Sequence, residues 1–189
     1  PAGPHLAIGA TVHATTMQKQ SARTAYLEAL RRLPPALLKY FFVKIAEIER
    51  GAPLISVADW TGMLRPRVGH VLLDFHHTDP AIQAIDQIGA WAAGFCLPNR
   101  QSEESAETAA TVRLLRGWGR TLAQKRLRFF VDNARSPALI QAASEAGAHF
   151  ITSEPHWPLA AQPRGAAHAP APFGQSAAPG PISAAAGMR

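Results

Sequence analysis

The chain has 189 residues, 47% hydrophobic and 17% charged, with a formal charge of +6 and one cysteine. That balance excludes a chain disordered throughout, and no apolar run is long enough to cross a bilayer. A single cysteine excludes an internal disulfide and a multi-cysteine zinc site, so a reducing compartment, the bacterial cytoplasm, is the expected location.

The charge permits an anionic ligand, but arginine far outnumbers lysine and alanine is abundant, a bias that genomic base composition also produces. No signal peptide is visible, and a chain that opens at Pro1 is expected to be a piece of a longer protein.

In chain order, HLAIGATV (5–12) reads as a strand and 16–33 as a helix with Ala25, Leu27, Ala29 and Leu30 on its apolar side, stopped by Pro34 and Pro35. FFVKIAE (41–47) is a second strand, 57–65 a short helix and GHVLLDF (69–75) a third strand. Residues 80–90 read as a helix with Pro80 in its first turn, and AAGFCL (92–97) as a fourth strand. A long helix spans 102–126, with Ser102 as its N-cap and acidic residues in its first turn. LRFFVD (127–132) is a fifth strand, and Ser136 and Pro137 open a helix that Gly147 ends. AHFITS (148–153) is a sixth strand.

Strands apolar on both faces and separated by helices predict a parallel α/β sheet, either doubly wound or most of a β/α barrel. No GxGxxG or P-loop follows a strand, which argues against a nucleotide-cofactor domain. Residues 160–189 turn to Ala, Pro and Gly without periodicity and are expected to form a disordered tail, with Phe173 a passive residue in it. The ordered domain is expected over 1–159.

In this order the segments resemble EAL domains, the cyclic di-GMP phosphodiesterase family. FFVKIAEIE is similar to the strand written "lEiTE", LLDFHH sits where the family has "lDDFGtG", and AAGFCLP falls at the spacing of "yiKiD". FVDNARSPALIQAASEAGAHFITSEPHWP resembles the "AEGVEt" strand and the helix and strand after it, and IGATVHATTM resembles "vNvSp.tl". The match covers roughly 8–158 in one register. It implies an incomplete TIM-like barrel of about six strands that lacks the N-terminal part bearing the Glu-Ala-Leu motif.

The resemblance also implies a two-metal site of carboxylates, an asparagine and a lysine, for which hard divalent cations need converging oxygens. Carried over position by position, that set is degenerate. The asparagine falls on Thr11, the first strand glutamate on Lys44 and the second on Glu47. The paired aspartates fall on Leu73 and Asp74, which a one-residue shift would exchange. The lysine falls on Gly94, the "AEG" glutamate on Asp132 and the "QG" glutamine on Thr152.

The run DFHHTD (74–79) offers a replacement metal site of Asp74, His76, His77 and Asp79, with Glu47 and Asp132 from neighbouring strand ends. The plainer reading is a relic loop in which His76 and His77 point apart and Asp79 caps the helix at Pro80. Arg113, Arg116 and Arg120 share one face of the long helix, opposite Leu114, Leu115, Trp118 and Leu122, and read as a solvated face. Cys96 is expected to be a small buried core residue, and Glu154 and His156 to lie in a proline-bounded turn. Trp60, Trp91, Trp118 and Trp157 are too dispersed for a base-stacking platform, and nucleic acid is not the expected partner.

The expectation is therefore a catalytically inactive EAL-like regulatory module that needs no cofactor and binds a protein partner, a second copy included. The alternatives are a divergent phosphodiesterase using Mg or Mn and a receptor that binds cyclic di-GMP without cleaving it.

Overall fold

The computed structural model describes residues 8–98 and 105–156, all within the unit Pro1–Leu159. Six strands form one parallel sheet in the order β1-β2-β3-β4-β5-β6: Ile8–His13, Phe41–Ile48, His70–Phe75, Ala92–Cys96, Arg128–Asp132 and Phe150–Ile151. Each strand pairs with its sequence neighbours, so the sheet curls into an incomplete TIM-like β/α barrel.

Alternation along the strands divides the residues between two sides. Val43, Ile45, Val71, Leu73, Phe95, Phe129 and Val131 face the helices and are buried in the main core. Leu72, Ala92 and Phe130 form a second, smaller cluster on the concave side, with Phe42 and Trp91 against it. Apolar residues on both faces are what parallel strands under a helical layer require.

The helices α1 (Ala14–Gln18) and α2 (Gln20–Arg31) replace the single helix expected over 16–33. Lys19 between them is extended (φ −81°, ψ 116°), and Met17 is fully buried while the carbonyl of Met17 accepts from Arg23 Nη1 at 2.7 Å. Packing of Met17 sets this break; the Gln, Lys and Ser around it carry no breaking signal. A one-turn helix α3 (Pro35–Leu38) follows, with Pro35 at its first position. The helix α4 runs Leu54–Leu64, three residues longer at its start than expected.

The segment expected as an α-helix over 80–90 is instead a 3-10 helix, Pro80–Gln87. Ile82 and Ile85 are buried from it, as is Ile88 one residue past its end, and their three-residue spacing matches the 3-10 repeat. The helix α5 covers Ser105–Gln124, and Ser102 lies outside the described residues. The helix α6 (Pro137–Glu145) is capped as predicted: Ser136 Oγ accepts from the Leu139 N–H at 3.3 Å, and Gly147 takes φ +83° just past its end. The strand expected over 148–153 shortens to two residues. Tail residues 160–189, Phe173 among them, and Trp157 lie outside the described residues. Among the described residues no helix is long and apolar enough to cross a membrane.

Candidate functional site

The register gathers the family positions on one side. Thr11 is opposite Lys44, Lys44 opposite Leu72, Asp74 opposite Gly94, and Cys96 opposite Asp132. Neighbours of each, Val43, Ile45, Leu73, Ala93, Phe95 and Val131, are buried in the helix-side core, so Lys44, Asp74, Gly94, Cys96 and Asp132 face the concave side near the strand C-terminal ends. In a β/α barrel this is the rim where function resides. Of the two residues Leu73 and Asp74, Leu73 is fully buried against the helices and Asp74 faces the rim.

At the centre, Lys44 Nζ donates to Asp132 Oδ2 at 2.7 Å, reaching from β2 over β3 and β4 to β5. Both side chains are largely buried. Thr152 Oγ1 donates to the other oxygen, Oδ1, at 3.0 Å, and itself accepts from the Asn133 N–H at 3.0 Å. Asn133 has φ +62° and donates from Nδ2 to the Leu97 carbonyl at 2.8 Å, which ties the ends of β4 and β5 together. Both Asp132 oxygens are thus engaged. Burial alone would lower the Lys44 pKa, but the hydrogen bond and charge of Asp132, with the charge of Asp74, leave it raised.

Asp74 is the most perturbed acid of the rim. Burial pushes its carboxyl up to about 6, against the attraction of Lys44 and with repulsion from Asp132 and Glu47 in support. Cys96, expected in the core, is exposed instead. It ends β4 on the concave side, and burial of its sulfur together with the charges of Asp74 and Asp132 raises its thiol pKa.

Gly94 has no room for a side chain. A Cβ there would lie 1.9 Å from the Phe130 carbonyl oxygen and 2.7 Å from Phe130 Cγ. The position onto which the resemblance carries a lysine is closed by β5.

Glu47 reaches the rim by a different route. The pairing of β2 with β3 slips between Ile45 and Ile48, and Glu47 in this bulge has φ +57°. The bulge turns its exposed carboxylate to His13 Nδ1 at 2.9 Å. Nothing in the sequence signals this pair, because the bulge breaks the two-residue count.

The His-rich loop departs from the expected divergence of its two rings. His76 and His77 stack on each other, with ring centroids 4.4 Å apart and planes at 28°, rather than pointing apart. His76 Nδ1 lies 2.9 Å from Thr78 Oγ1. Burial, and then the neighbouring His76, lowers the His77 pKa. Asp79 is buried, and its Oδ2 accepts from the Gly51 N–H at 3.2 Å, which ties this loop to the turn after β2. A cleft of about 290 Å³ lies between Glu47, Asp74, His76, His77 and Cys96. Among the described residues no three histidine, cysteine or acidic side chains are placed to hold a metal ion. With an ammonium on Asp132 and glycine, leucine and threonines at other ligand positions, the residues do not fit a pair of divalent cations.

The other sequence candidates are structural. Arg113, Arg116 and Arg120 are exposed, with Arg116 Nη2 3.6 Å from Glu145 Oε2. Ser153 Oγ and His156 Nδ1 are 2.9 Å apart in the expected turn, which Glu154 shares. Trp60 and Trp118 are buried core residues. Trp91 is stacked on His70 at 4.0 Å, with the Arg128 guanidinium 4.1 Å from its ring.

No family model and no curated protein matches the sequence. Solved structures do match. The PaMucR phosphodiesterase in its cyclic di-GMP complex aligns over 79% of this chain with a TM-score of 0.57 at 13% identity. The Bacillus subtilis YkuI protein, whose EAL domain is seen with cyclic di-GMP and calcium, aligns over 77% with a TM-score of 0.56 at 13% identity. The Vibrio cholerae LapD GGDEF-EAL structure aligns over 75% with a TM-score of 0.54 at 9% identity. The chain has an EAL-like fold. It spans 65% of the PaMucR chain and about a third of the other two, 35% and 34%.

Proposed function

We propose that this chain is an EAL-like module of cyclic di-GMP-related signalling that has given up phosphodiester hydrolysis and acts by binding a protein partner. The fold supports the context, since two solved proteins it resembles, the PaMucR phosphodiesterase and YkuI, are seen in complex with cyclic di-GMP. The observation that carries the non-hydrolytic reading is the Lys44–Asp132 bridge of 2.7 Å. Two-metal hydrolysis needs carboxylates free to clamp adjacent cations. Here the one acid kept on β5 is committed to an ammonium, and a cation beside that ammonium would be repelled by it.

Purified protein with cyclic di-GMP and Mg²⁺ or Mn²⁺ should show no turnover to the linear dinucleotide by chromatography. Hydrolysis that disappears in Asp74→Ala would reverse the assignment. One observation favours that second reading, a divergent metal-dependent phosphodiesterase. Asp74 is a carboxyl with a strongly raised pKa in a cleft at the strand ends, the kind of group that active sites contain.

A further inference from the structure

The rim of this sheet carries more negative charge than its burial should tolerate. Asp74 pairs with Gly94 and Asp132 with Cys96, two residues further along β4, and Asp74 is repelled by both Asp132 and Glu47. Carboxylates withdrawn from water need a cation or they are destabilising. In the fold to which this one is similar, the residues at these positions imply a metal, which the side chains present here do not fit.

We propose that the Lys44 ammonium is a built-in cation that holds the rim carboxylate of Asp132 in place of a divalent metal. This inference rests on the non-hydrolytic reading of the same site.

Four features of the structure converge on it. Lys44 is fixed at its base, because Val43 and Ile45 on either side are fully buried and leave its side chain only the concave face. Gly94, on the same face of β4, adds no side chain that the lysine would have to pass. The acceptor is held by contacts other than the lysine: Thr152 Oγ1 donates to Asp132 Oδ1, and the Asn133 N–H donates to that hydroxyl. The ammonium is attracted by Asp132 and Asp74 together, and the Phe130 ring lies 6.0 Å from it on the same face. Glu47, the third acid, turns to His13 rather than to the ammonium.

Thermal unfolding of the full chain tests this, with wild type, Lys44→Met, Asp132→Asn and the double variant compared. The wild-type midpoint should not move with excess Mn²⁺ or with a chelator, and calorimetry with Mn²⁺ should give no binding heat. Lys44→Met should lower the midpoint by roughly 5 °C, because it strands a largely buried carboxylate. The double variant should lose clearly less than the sum of the two single losses, since the partners act as a unit. Lys44→Arg, which keeps the charge, should recover most of the Lys44→Met loss. If Lys44→Met does not fold, Asp132→Asn together with Lys44→Arg gives the same reading, a loss in the first and near wild-type behaviour in the second.

A wild-type midpoint that rises with Mn²⁺, or single losses that simply add, would overturn the built-in cation. Turnover of cyclic di-GMP would overturn the non-hydrolytic reading instead. The additivity of the cycle does not depend on turnover, so the two failures are told apart.

Discussion

The Trp118 indole on α5 donates from Nε1 to the His77 carbonyl at 2.9 Å, so a helix on the outside of the sheet anchors the loop at the rim. The same ring packs edge-on against Phe95 at 4.9 Å and parallel to Phe129 at 6.4 Å. A wholly apolar residue could fill this space but could not hold the loop.

Trp118→Phe keeps an aromatic ring and removes the donor. The His77 carbonyl then loses a part-buried partner, which costs about 1–2 kcal/mol. Urea unfolding should show that loss, and proteolysis within 76–79 should accelerate. Unchanged stability and cleavage would show that the bond does not hold the loop.

Asp74 gives the stability an inverted pH dependence. Its carboxyl titrates near 6 when folded, above the ordinary 3.8, so the folded protein binds this proton more tightly than the unfolded chain. Its contribution is fully present below about pH 4 and is lost as pH rises through 6. Asp74→Asn removes the charge while its oxygen can still accept from the Cys96 backbone. It should stabilise the fold by about 1–2 kcal/mol at pH 8 and by nearly nothing at pH 4. A variant less stable than wild type at pH 8 would contradict this.

Restoring a side chain at position 94 should fail. Gly94→Ala places a methyl group against the Phe130 carbonyl, where backbone rather than a flexible side chain must give way. A loss of about 3 kcal/mol or more is expected in chemical denaturation, and Gly94→Lys should be worse. A well-folded Gly94→Lys protein would show that β4 and β5 separate more readily than their packing implies.

Glu47 sits at φ +57°, a conformation that costs a residue with a Cβ roughly 1 kcal/mol. Glu47→Gly relieves it and gives up only an exposed contact with His13, which is worth little. A stabilisation of about 0.5–1 kcal/mol is the expected outcome in urea. Destabilisation would mean that the His13 pair contributes more than its exposure allows.

Much of the sheet was legible because its strands are apolar on both faces: FFVKIAE, GHVLLDF and LRFFVD can only be buried runs. Ser136 and Gly147 were legible because a cap and a left-handed stop have local chemistry. The break at Lys19 was not, since buried Met17 rather than any local breaker sets it. Nor was the 3-10 helix at 80–87, whose isoleucines fit either helical period.

At the site, the sequence named both Lys44 and Asp132 but could not join them. They are 88 positions apart on strands with two others between them, and only the curl of the sheet brings them to contact. His76 and His77 show the opposite limit. Adjacent in sequence and extended, they would diverge, but the loop they occupy is held by Gly51 and Trp118 and folds their rings together. Cys96 was placed inside on the general habit of cysteine, which the open rim overrides.

The strands lie in space in the same sequence as along the chain. Each newly made strand–helix unit therefore meets a template that already exists, namely the margin left by the unit before it, and no strand waits for a distant partner. Loop closure at every step spans only one crossover, so no step closes a loop longer than a single strand–helix unit. A molecule ordered in this way can zip up progressively behind the ribosome, adding one stave at a time.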